Sequence, residues 1–258
     1  MHLQIHLSLK LSRLTENNTR VMKAMIMSAG KGTRLGKITE TIPKVLLDIN
    51  GKSLLRRAVE KCVSHGFDDI ILNVHHFADM VEEEIERLKK LGFKITVSDE
   101  RHELLDTGGG LFRARDFFDT EPFLVYNADI ITDFDLSELI DYHRKKGGLA
   151  TLAVRHRPGN RYFLVDQEGL LCGWCNNLTG ERIIVRGNDA YLSEIAFSSM
   201  HIIDPGIFNY MTEGVYSMTP LYLKMASSHN IYTLLSDTGY WFNTGTPEIL
   251  DQVRKFVK

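Results

Sequence analysis

The chain has 258 residues, of which 43% are hydrophobic and 25% are charged, a balance typical of a soluble globular protein that is long enough for one large α/β domain. The net charge of −2 provides no overall basic field that would attract nucleic acid or an anionic membrane, so we expect neither as a partner. No apolar run reaches the roughly 18 residues of a membrane-spanning helix, and we expect a cytoplasmic protein.

The first 21 residues are predicted to be a leader outside the fold. His and Lys interrupt their apolar part and no small-residue cleavage site follows, which argues against a secretory signal. An alternating hydrophobic pattern from Leu3 to Leu9 leaves an additional edge strand open. We expect a single domain over residues 22–258.

The first half of the chain alternates apolar strand-like runs with amphipathic segments, which is typical of a sheet built from βαβ units. The predicted strands are Lys23–Ser28, Asp69–Val74, Ile95–Ser98 and Pro122–Tyr126. The predicted helices are Ser53–His65, Asp79–Lys90, Leu111–Phe117 and Leu136–Lys146.

The second half is predicted to hold shorter strands separated by turn residues, with two helices near its end. The predicted strands are Leu149–Arg155, Tyr162–Val165, Leu170–Cys172, Ile183–Val185, Ala196–Ile203 and Ile231–Leu234. The predicted helices near the end are Tyr222–Ser228 and Thr246–Val257, the second with a proline in its first turn, and a further helix is predicted to begin at Pro205. This order favours an α/β fold with a mixed central sheet, in which ligands bind at the carboxyl ends of the strands.

The segment Met27–Lys44 is the clearest functional signal. It follows a buried strand, and Gly30 and Gly32 predict a turn that exposes several backbone N–H groups to one point. Arg34 and Lys44 add a planar cation and a point charge. These features favour a nucleoside triphosphate as substrate, although an ordinary strand–helix connection is an alternative for the glycine turn alone.

Two familiar phosphate loops are excluded by spacing. The glycines Gly30, Gly32 and Gly36 do not fit the G-x-G-x-x-G dinucleotide fingerprint. The P-loop requires a glycine five residues before its Gly-Lys-Ser, and Leu46 occupies that position ahead of Gly51–Ser53.

The sequence GKGTRLGKITETIPKVLL, residues 30–47, resembles the signature of the sugar-1-phosphate nucleotidylyltransferases. The resemblance covers roughly Met22 to the C-terminus. It implies a Rossmann-like, GT-A-like three-layer fold with a mixed, mostly parallel sheet, divided into a nucleotide half (about 22–148) and a sugar half (about 149–258). It also implies transfer of a nucleoside monophosphate from an NTP to a sugar 1-phosphate, with release of pyrophosphate.

The resemblance assigns catalytic roles to Arg34, Lys44 and Asp129. Arg34 and the loop amides would hold the β and γ phosphates, and Lys44 would bridge the α-phosphate and the sugar phosphate. The residues expected to bind the nucleotide are Ala29, Gly30, Lys31, Gly32, Thr33, Arg34, Lys44, Asn73, Thr107, Gly108 and Gly109.

Magnesium is the expected cofactor, because nucleotidyl transfer needs a cation on the phosphates that one or two protein oxygens can hold. Asp129 follows a predicted buried strand and matches one ligand of the family. The second ligand falls in Trp241–Glu248, where Asn243 replaces the family's Asp. A turn or a helix cap is the alternative for both segments.

The triple glycine in Glu103–Leu111 resembles the base-recognition segment of the branch that contains N-acetylmuramate-1-phosphate uridylyltransferases and mannose-1-phosphate guanylyltransferase-like proteins. At a helix entrance, these glycines would let main-chain groups read the base of UTP or GTP. The usual sugar contacts are missing, and Asn127, Arg161 and Glu194 are the expected substitutes.

Two functions of other classes are also considered. Asn243 and the altered sugar half are compatible with a non-catalytic nucleotide-sugar sensor. The C-x-x-C sequence of Cys172 and Cys175 is compatible with a thiol redox protein, although polar turn residues follow it in place of a helix. The sequence is also compatible with a homo-oligomer.

Overall fold

The computed structural model describes residues 21–257, so most of the leader prediction and the Leu3–Leu9 strand lie outside the described residues. The first strand, β1 (Lys23–Met27), shows how the fold is organised. Its alternate residues Ala24 and Ile26 enter one hydrophobic core, and Met25 between them enters another. A strand buried on both faces requires layers above and below it.

The remaining strands are β2 (Asp48–Ile49), β3 (Lys52–Ser53), β4 (Asp69–Val74), β5 (Lys94–Asp99), β6 (Phe123–Asn127), β7 (Ile130–Thr132), β8 (Ala150–Arg155), β9 (Arg161–Val165), β10 (Leu171–Asn176), β11 (Glu181–Ile184), β12 (Ser193–Ile203), β13 (Ile231–Leu235) and β14 (Trp241–Asn243). The α-helices are α1 (Leu54–Ser64), α2 (Ala78–Lys90), α3 (Asp106–Arg113), α4 (Leu136–Lys146), α5 (Met218–Ala226) and α6 (Pro247–Phe256).

One ten-stranded sheet contains strands from both halves of the chain, in the order β11-β10-β9-β12-β6-β1-β4-β5, with β8 between β12 and β13. The ladders β6-β1-β4-β5 are parallel, and β12 pairs antiparallel with β6, β8 and β9. The predicted mixed α/β sheet is therefore confirmed. Two small ladders, β2–β3 and β7–β14, lie outside this sheet.

The helices cover both faces of the sheet. Apolar residues of α1, α2 and α4 pack with Ala24 and Ile26, whereas those of α3 and α5 pack with Met25. This arrangement is the predicted three-layer fold. The segment Met27–Lys44 is called the glycine loop below. A third, smaller core joins Leu35 of this loop and the nearby Leu47 to Leu250 and Val253 of α6, so the C-terminal helix supports the loop.

The elements predicted for the first half agree with the structure within one residue at either end, except for α3, whereas the short strands β2, β3 and β7 were not predicted. The structure begins α3 at Asp106 and ends it at Arg113, whereas the sequence predicted Leu111–Phe117. The three glycines thus lie inside the helix and not before it. In the second half α5 begins at Met218, before the predicted start at Tyr222.

Candidate active site

A cavity of about 370 Å³ lies at the carboxyl edge of the parallel strands. Met27 at the end of β1, Asn73 in β4 and Asn127 at the end of β6 contribute to its wall. The full lining is Met27, Ser28, Ala29, Gly30, Lys44, Val45, Asn73, Leu104, Asp106, Thr107, Asn127, Asp129 and Val215.

The glycine loop brings Lys44 to this cavity through a constrained turn at Gly32. Gly32 has φ 66, in the left-handed region that favours glycine. Its carbonyl accepts hydrogen bonds from Leu35 N at 2.9 Å and from Thr39 Oγ1 at 3.1 Å. A Cβ at this position would lie 3.0 Å from the Cβ of Lys44, so a side chain here would displace the lysine.

The predicted loop residues differ in their placement. Ala29 and Gly30 line the cavity with Lys44, whereas Lys31 and Thr33 are exposed and line neither this cavity nor the second one described below. The turn continues into a 3₁₀ helix over Thr33–Thr39 instead of an α-helix.

Lys44 is 6% exposed and forms an ion pair with the Oδ2 atom of Asp129. Because a buried ammonium group is costly without an opposite charge, this pair fixes both side chains at the cavity wall. The Oδ1 atom of Asp129 is buried, and no hydrogen-bond partner for it is found among the described residues. An unsatisfied carboxylate oxygen of this kind fits a hard cation.

Asn243 lies next to the backbone of Asp129 because β14 pairs with β7, which places Asn243 opposite Ile130. Thr244 reinforces the ladder, since its backbone N and its Oγ1 both donate to the carbonyl of Asp129 at 3.0 Å. Sequence reasoning missed the role of Thr244. The only signal available for it was its place beside Asn243 in the matched motif.

Gly245 lets Arg34 reach the same region. A Cβ at this glycine would lie 2.6 Å from Nη2 of Arg34 and 2.7 Å from Oδ1 of Asn243. Arg34 is exposed, and none of residues 21–257 provides an ion-pair partner for its guanidinium. The structure therefore brings Arg34 beside Asn243, and it places Asn243 next to the backbone of Asp129, although neither Arg34 nor Asn243 lines either cavity. Among residues 21–257 no cluster of three or more His, Cys, Asp and Glu offers a metal site, so a cation here would also need phosphate or water oxygens.

Asn73 shapes the cavity wall with its amide group. Its Oδ1 accepts from Ser28 N at 2.7 Å, and its Nδ2 donates to Oε1 of Glu100 at 2.9 Å. Glu100 is 2% exposed, and burial raises the pKa of its carboxyl group. Both groups of Asn73 are thus occupied within the protein. Sequence reasoning missed Glu100, because its partner lies 27 residues away.

The triple glycine packs against another segment of the chain. The N–H groups of Gly108 and Gly109 both donate to the carbonyl of Tyr216, at 2.8 and 3.2 Å. A Cβ at Gly108 would lie 2.8 Å from that carbonyl, and one at Gly109 would overlap the carbonyl of Gly214. These two glycines pack against residues 214–216 and line neither the 370 Å³ cavity nor the second one. Their contact with the base therefore stays a prediction, whereas Thr107 does line the cavity.

A second cavity of about 400 Å³ adjoins the first and shares four of its residues with it, Met27, Asp106, Thr107 and Asn127. Arg161 contributes to this second cavity, as do Phe163, Phe197, Ser199, His201 and Tyr222. Asp106 (φ 59) and Ser199 (φ 62) are non-glycine residues in the left-handed region. Such strained positions are frequent at ligand sites.

Glu194 is not brought to either cavity. Its carboxylate accepts from Arg182 at 2.8 Å and from Asn177 at 3.0 Å on the exposed surface. The expected sugar contact of Glu194 is corrected for this reason. Asn127 and Arg161, the other two expected sugar contacts, do line the second cavity.

The two cysteines of the C-x-x-C sequence lie within β10 and are buried. Residues three apart in a strand are separated by about 10 Å, so Cys172 and Cys175 lie too far apart to form a disulfide there. Burial raises the pKa of Cys172 to about 11 and also raises that of Cys175. Neither thiol has the low pKa of a redox centre, which removes this alternative.

The helices within residues 21–257 include none with the length and apolarity required to cross a bilayer.

The architecture of the chain is shared with solved structures. The crystal structure of HddC from Yersinia pseudotuberculosis complexed with GMP-PN superposes with a TM-score of 0.75 at 20% identity, covering 92% of this chain and 100% of that one. At this identity the likeness supports the fold.

Two relatives are similar in sequence. The mannose-1-phosphate guanyltransferase beta-A of Xenopus laevis is 30% identical over 233 residues, which cover 88% of this chain and 62% of the relative. The N-acetylmuramate alpha-1-phosphate uridylyltransferase of Caulobacter vibrioides is 28% identical over 237 residues, covering 87% of this chain and 92% of the relative. The chain thus spans less than two thirds of the length of the first relative and nearly the whole length of the second.

The family model described as nucleotidyl transferase matches residues 23–258, which is nearly the entire chain. The family expected from the glycine loop is therefore confirmed, and the chain belongs to the nucleotidyl transferases.

Proposed function

We propose that the protein transfers a nucleoside monophosphate from an NTP to a sugar 1-phosphate and releases pyrophosphate. The observation that carries this proposal is the buried Lys44–Asp129 pair. It lies in the wall of the first cavity, which shares Asn127 with the second, so two substrates placed in the two cavities would meet beside it.

The reaction requires no nucleophile from the protein, because the phosphate of the sugar arrives already ionised. Its oxygen attacks the α-phosphorus of the NTP, and the bond to the pyrophosphate oxygen breaks. The protein then contributes positioning and charge neutralisation. Lys44 would hold the α-phosphate and the incoming phosphate together, and Arg34 with the loop amides would bind the β and γ phosphates.

Asp129 and Asn243 would hold Mg²⁺. The unsatisfied Oδ1 atom of Asp129 supports this assignment, and the neutral amide of Asn243 supplies an oxygen without charge. Bound there, the cation would neutralise phosphate charge in the transition state. The fixed position of Asp129 under the two hydrogen bonds of Thr244 would keep this oxygen in place.

The base and the sugar follow from the relatives as proposals. Their names include both uridylyltransferases and guanyltransferases, so UTP and GTP are the proposed nucleotides. Mannose and N-acetylmuramate 1-phosphates are the first sugars to test. The single-domain boundaries, the cytoplasmic location and a homo-oligomer stay predictions.

The test is pyrophosphate release across a grid of the four common NTPs and a panel of sugar 1-phosphates, with magnesium present. We expect one pair to turn over and the rest to be at least tenfold slower. Binding of the NTP by calorimetry without release for any pair would instead support the nucleotide-sugar sensor. Absence of NTP binding would contradict both functions.

A further inference from the structure

A buried histidine–tyrosine pair lines the second cavity. His201 on β12 is 4% exposed and Tyr222 on α5 is 1% exposed, and both belong to the wall of the cavity. Nδ1 of His201 lies 2.7 Å from the hydroxyl oxygen of Tyr222. The ring of Phe197 packs against the imidazole with centroids 5.3 Å apart. The imidazole is therefore held in one orientation from two sides.

Burial fixes the protonation of this pair. It lowers the pKa of His201 to about 3 and raises that of Tyr222 well above its usual value, so both groups are neutral at neutral pH. The pair then carries two polar protons, one on the imidazole and one on the hydroxyl. The hydrogen bond between the two groups uses one of them.

The location of the other proton follows from the burial of Tyr222. Nδ1 of His201 is the partner that the hydroxyl has within the described residues. A buried hydroxyl that did not donate would leave an unsatisfied proton, at a cost of about 1–3 kcal/mol. We therefore assign the O–H as donor to Nδ1, which puts the imidazole proton on Nε2.

Nε2 is open to the cavity. It has no hydrogen-bond partner within residues 21–257. Within that range, the fully buried side-chain nitrogen and oxygen atoms without a partner belong to Asp69, Asp129 and Arg157. Nε2 of His201 is not one of them, so it keeps some accessible surface. Because His201 is otherwise buried and lines the cavity, the accessible surface of Nε2 belongs to the cavity wall.

We propose that the Nε2–H of His201 is a specificity-determining hydrogen-bond donor for an oxygen of the sugar, with Tyr222 as the positioning residue that fixes its tautomer. The proposal rests on the proposed function. A sugar with its 1-phosphate near Lys44 would pass Asn127 and enter the second cavity, where this donor lies. A donor selects a hydroxyl or acyl oxygen and rejects an ammonium group or a deoxygenated carbon, because these leave the N–H unpaired.

The experiment uses the active NTP–sugar pair from the grid and a series of deoxy analogues of that sugar 1-phosphate. For the wild-type protein we expect one analogue to lose about tenfold in kcat/KM, the usual size of one neutral hydrogen bond. In His201→Leu the parent sugar should lose a similar factor, and the discrimination against that analogue should fall below twofold. The KM for the NTP should change by less than twofold.

Three variants separate recognition from damage to the fold. His201→Gln supplies an amide donor close to the position of Nε2 and should restore most of the discrimination. Tyr222→Phe should lower it by about threefold or more, since the tautomer is no longer fixed. His143→Leu is the matched control, because His143 is also buried, bonds Thr151 Oγ1 at 3.0 Å and lines neither cavity. It should leave discrimination unchanged.

The outcomes are distinguishable. A wild-type protein without turnover for any pair contradicts the proposed function. Unchanged discrimination in a folded His201→Leu that still binds NTP contradicts the role of His201 alone. If His201→Leu does not fold, then Tyr222→Phe decides, and wild-type discrimination in that variant would overturn the proposal.

Discussion

Lys44 and Asp129 depend on each other at the scale of single residues. The lysine is 6% exposed and its carboxylate partner is mostly buried, so each charge compensates the desolvation of the other. The ammonium group is thereby held beside a cavity, where it is available to a phosphate. The electrostatic interaction of this ammonium group with a phosphate is stronger than that of a surface lysine, because the low-dielectric surroundings screen it less.

We expect Lys44→Met to lower kcat about a hundredfold, because the loss of one preorganised charge contact costs about 3 kcal/mol in the transition state. Pyrophosphate release under saturating substrates measures this effect. Lys37→Met is the matched control, since Lys37 is exposed in the same loop and lines neither cavity, and it should stay within threefold of wild type. A Lys44→Met protein with more than a tenth of the wild-type kcat contradicts the role.

Thr244→Val should weaken the hydrogen bonding that holds the backbone of Asp129, without creating a cavity. The valine keeps the shape and the backbone N–H bond to Asp129 O, but it loses the Oγ1 bond of 3.0 Å. We expect a loss of about 1 kcal/mol in stability and a fall in kcat of about fivefold. Urea unfolding and steady-state kinetics measure these quantities. Thr244→Ser retains the hydroxyl and should behave nearly as wild type, and equal effects of both substitutions would contradict the argument.

The sequence allowed part of this site to be predicted. Arg34, Lys44, Asp129 and Asn243 follow from motifs in which neighbouring residues carry the signal. Glu100 and Thr244 do not, because their importance comes from partners that are 27 and 115 residues away along the chain. Glu194 was wrongly placed because nothing in its local sequence indicates its ion pair with Arg182.

At the scale of elements, α3 illustrates how tertiary packing overrides helix propensity. Three consecutive glycines disfavour a helix interior, and the sequence therefore predicted a helix start after them. In the structure they lie within α3, where the absence of side chains lets residues 214–216 approach the helix backbone. The energy of this close packing could not be inferred from Asp106–Arg113 alone.

Gly109→Ala should destabilise the protein by about 1–3 kcal/mol, although alanine is the better helix former. Its Cβ would overlap the carbonyl of Gly214, a backbone atom that cannot move without its loop. Gly30→Ala is the control, because it has open space around it and a backbone that accepts alanine, and it should change stability by less than about 0.5 kcal/mol. Urea denaturation compares the two. Equal stability of both variants would contradict the packing argument.

At the scale of the whole molecule, the buried histidines link the stability of the fold to pH. Burial lowers the pKa of His201 to about 3, below the value of about 6.5 in an unfolded chain. The unfolded chain therefore binds the proton more readily than the folded protein does. The stability that neutral, buried His201 contributes is lost as the pH falls from 6.5 towards 3.

We expect His201 to reduce the free energy of unfolding by about 2 kcal/mol between pH 7 and pH 5. The measurement is urea denaturation of the wild type and of His201→Gln at both pH values, since glutamine does not titrate. The wild type should lose about 2 kcal/mol more than the variant over this interval. The same loss in both proteins would show that His201 is protonated in the folded state.

The overall architecture was accessible from the sequence because it follows from hydrophobic periodicity. Ala24, Met25 and Ile26 form an apolar run that predicts a buried strand, and in the structure they alternate between two cores. The pairing of β12 was not accessible. It contacts β9 through Ser193–Ile195, β6 through Met200–Ile203 and β8 along much of its length, and no local pattern specifies three partners.

The hydrogen bonds from Thr244 to Asp129 span 115 residues of chain, and this separation has a consequence for biosynthesis. A ribosome adding about 5–20 residues per second would complete the turn carrying Asp129, between β6 and β7, roughly 10 s before Thr244 is made. During that interval the parallel strands can already pair, but the backbone of Asp129 lacks the hydrogen bonds from Thr244. The growing polypeptide would therefore be able to pair its parallel strands first, and the backbone at Asp129 would be fixed only when translation is nearly finished.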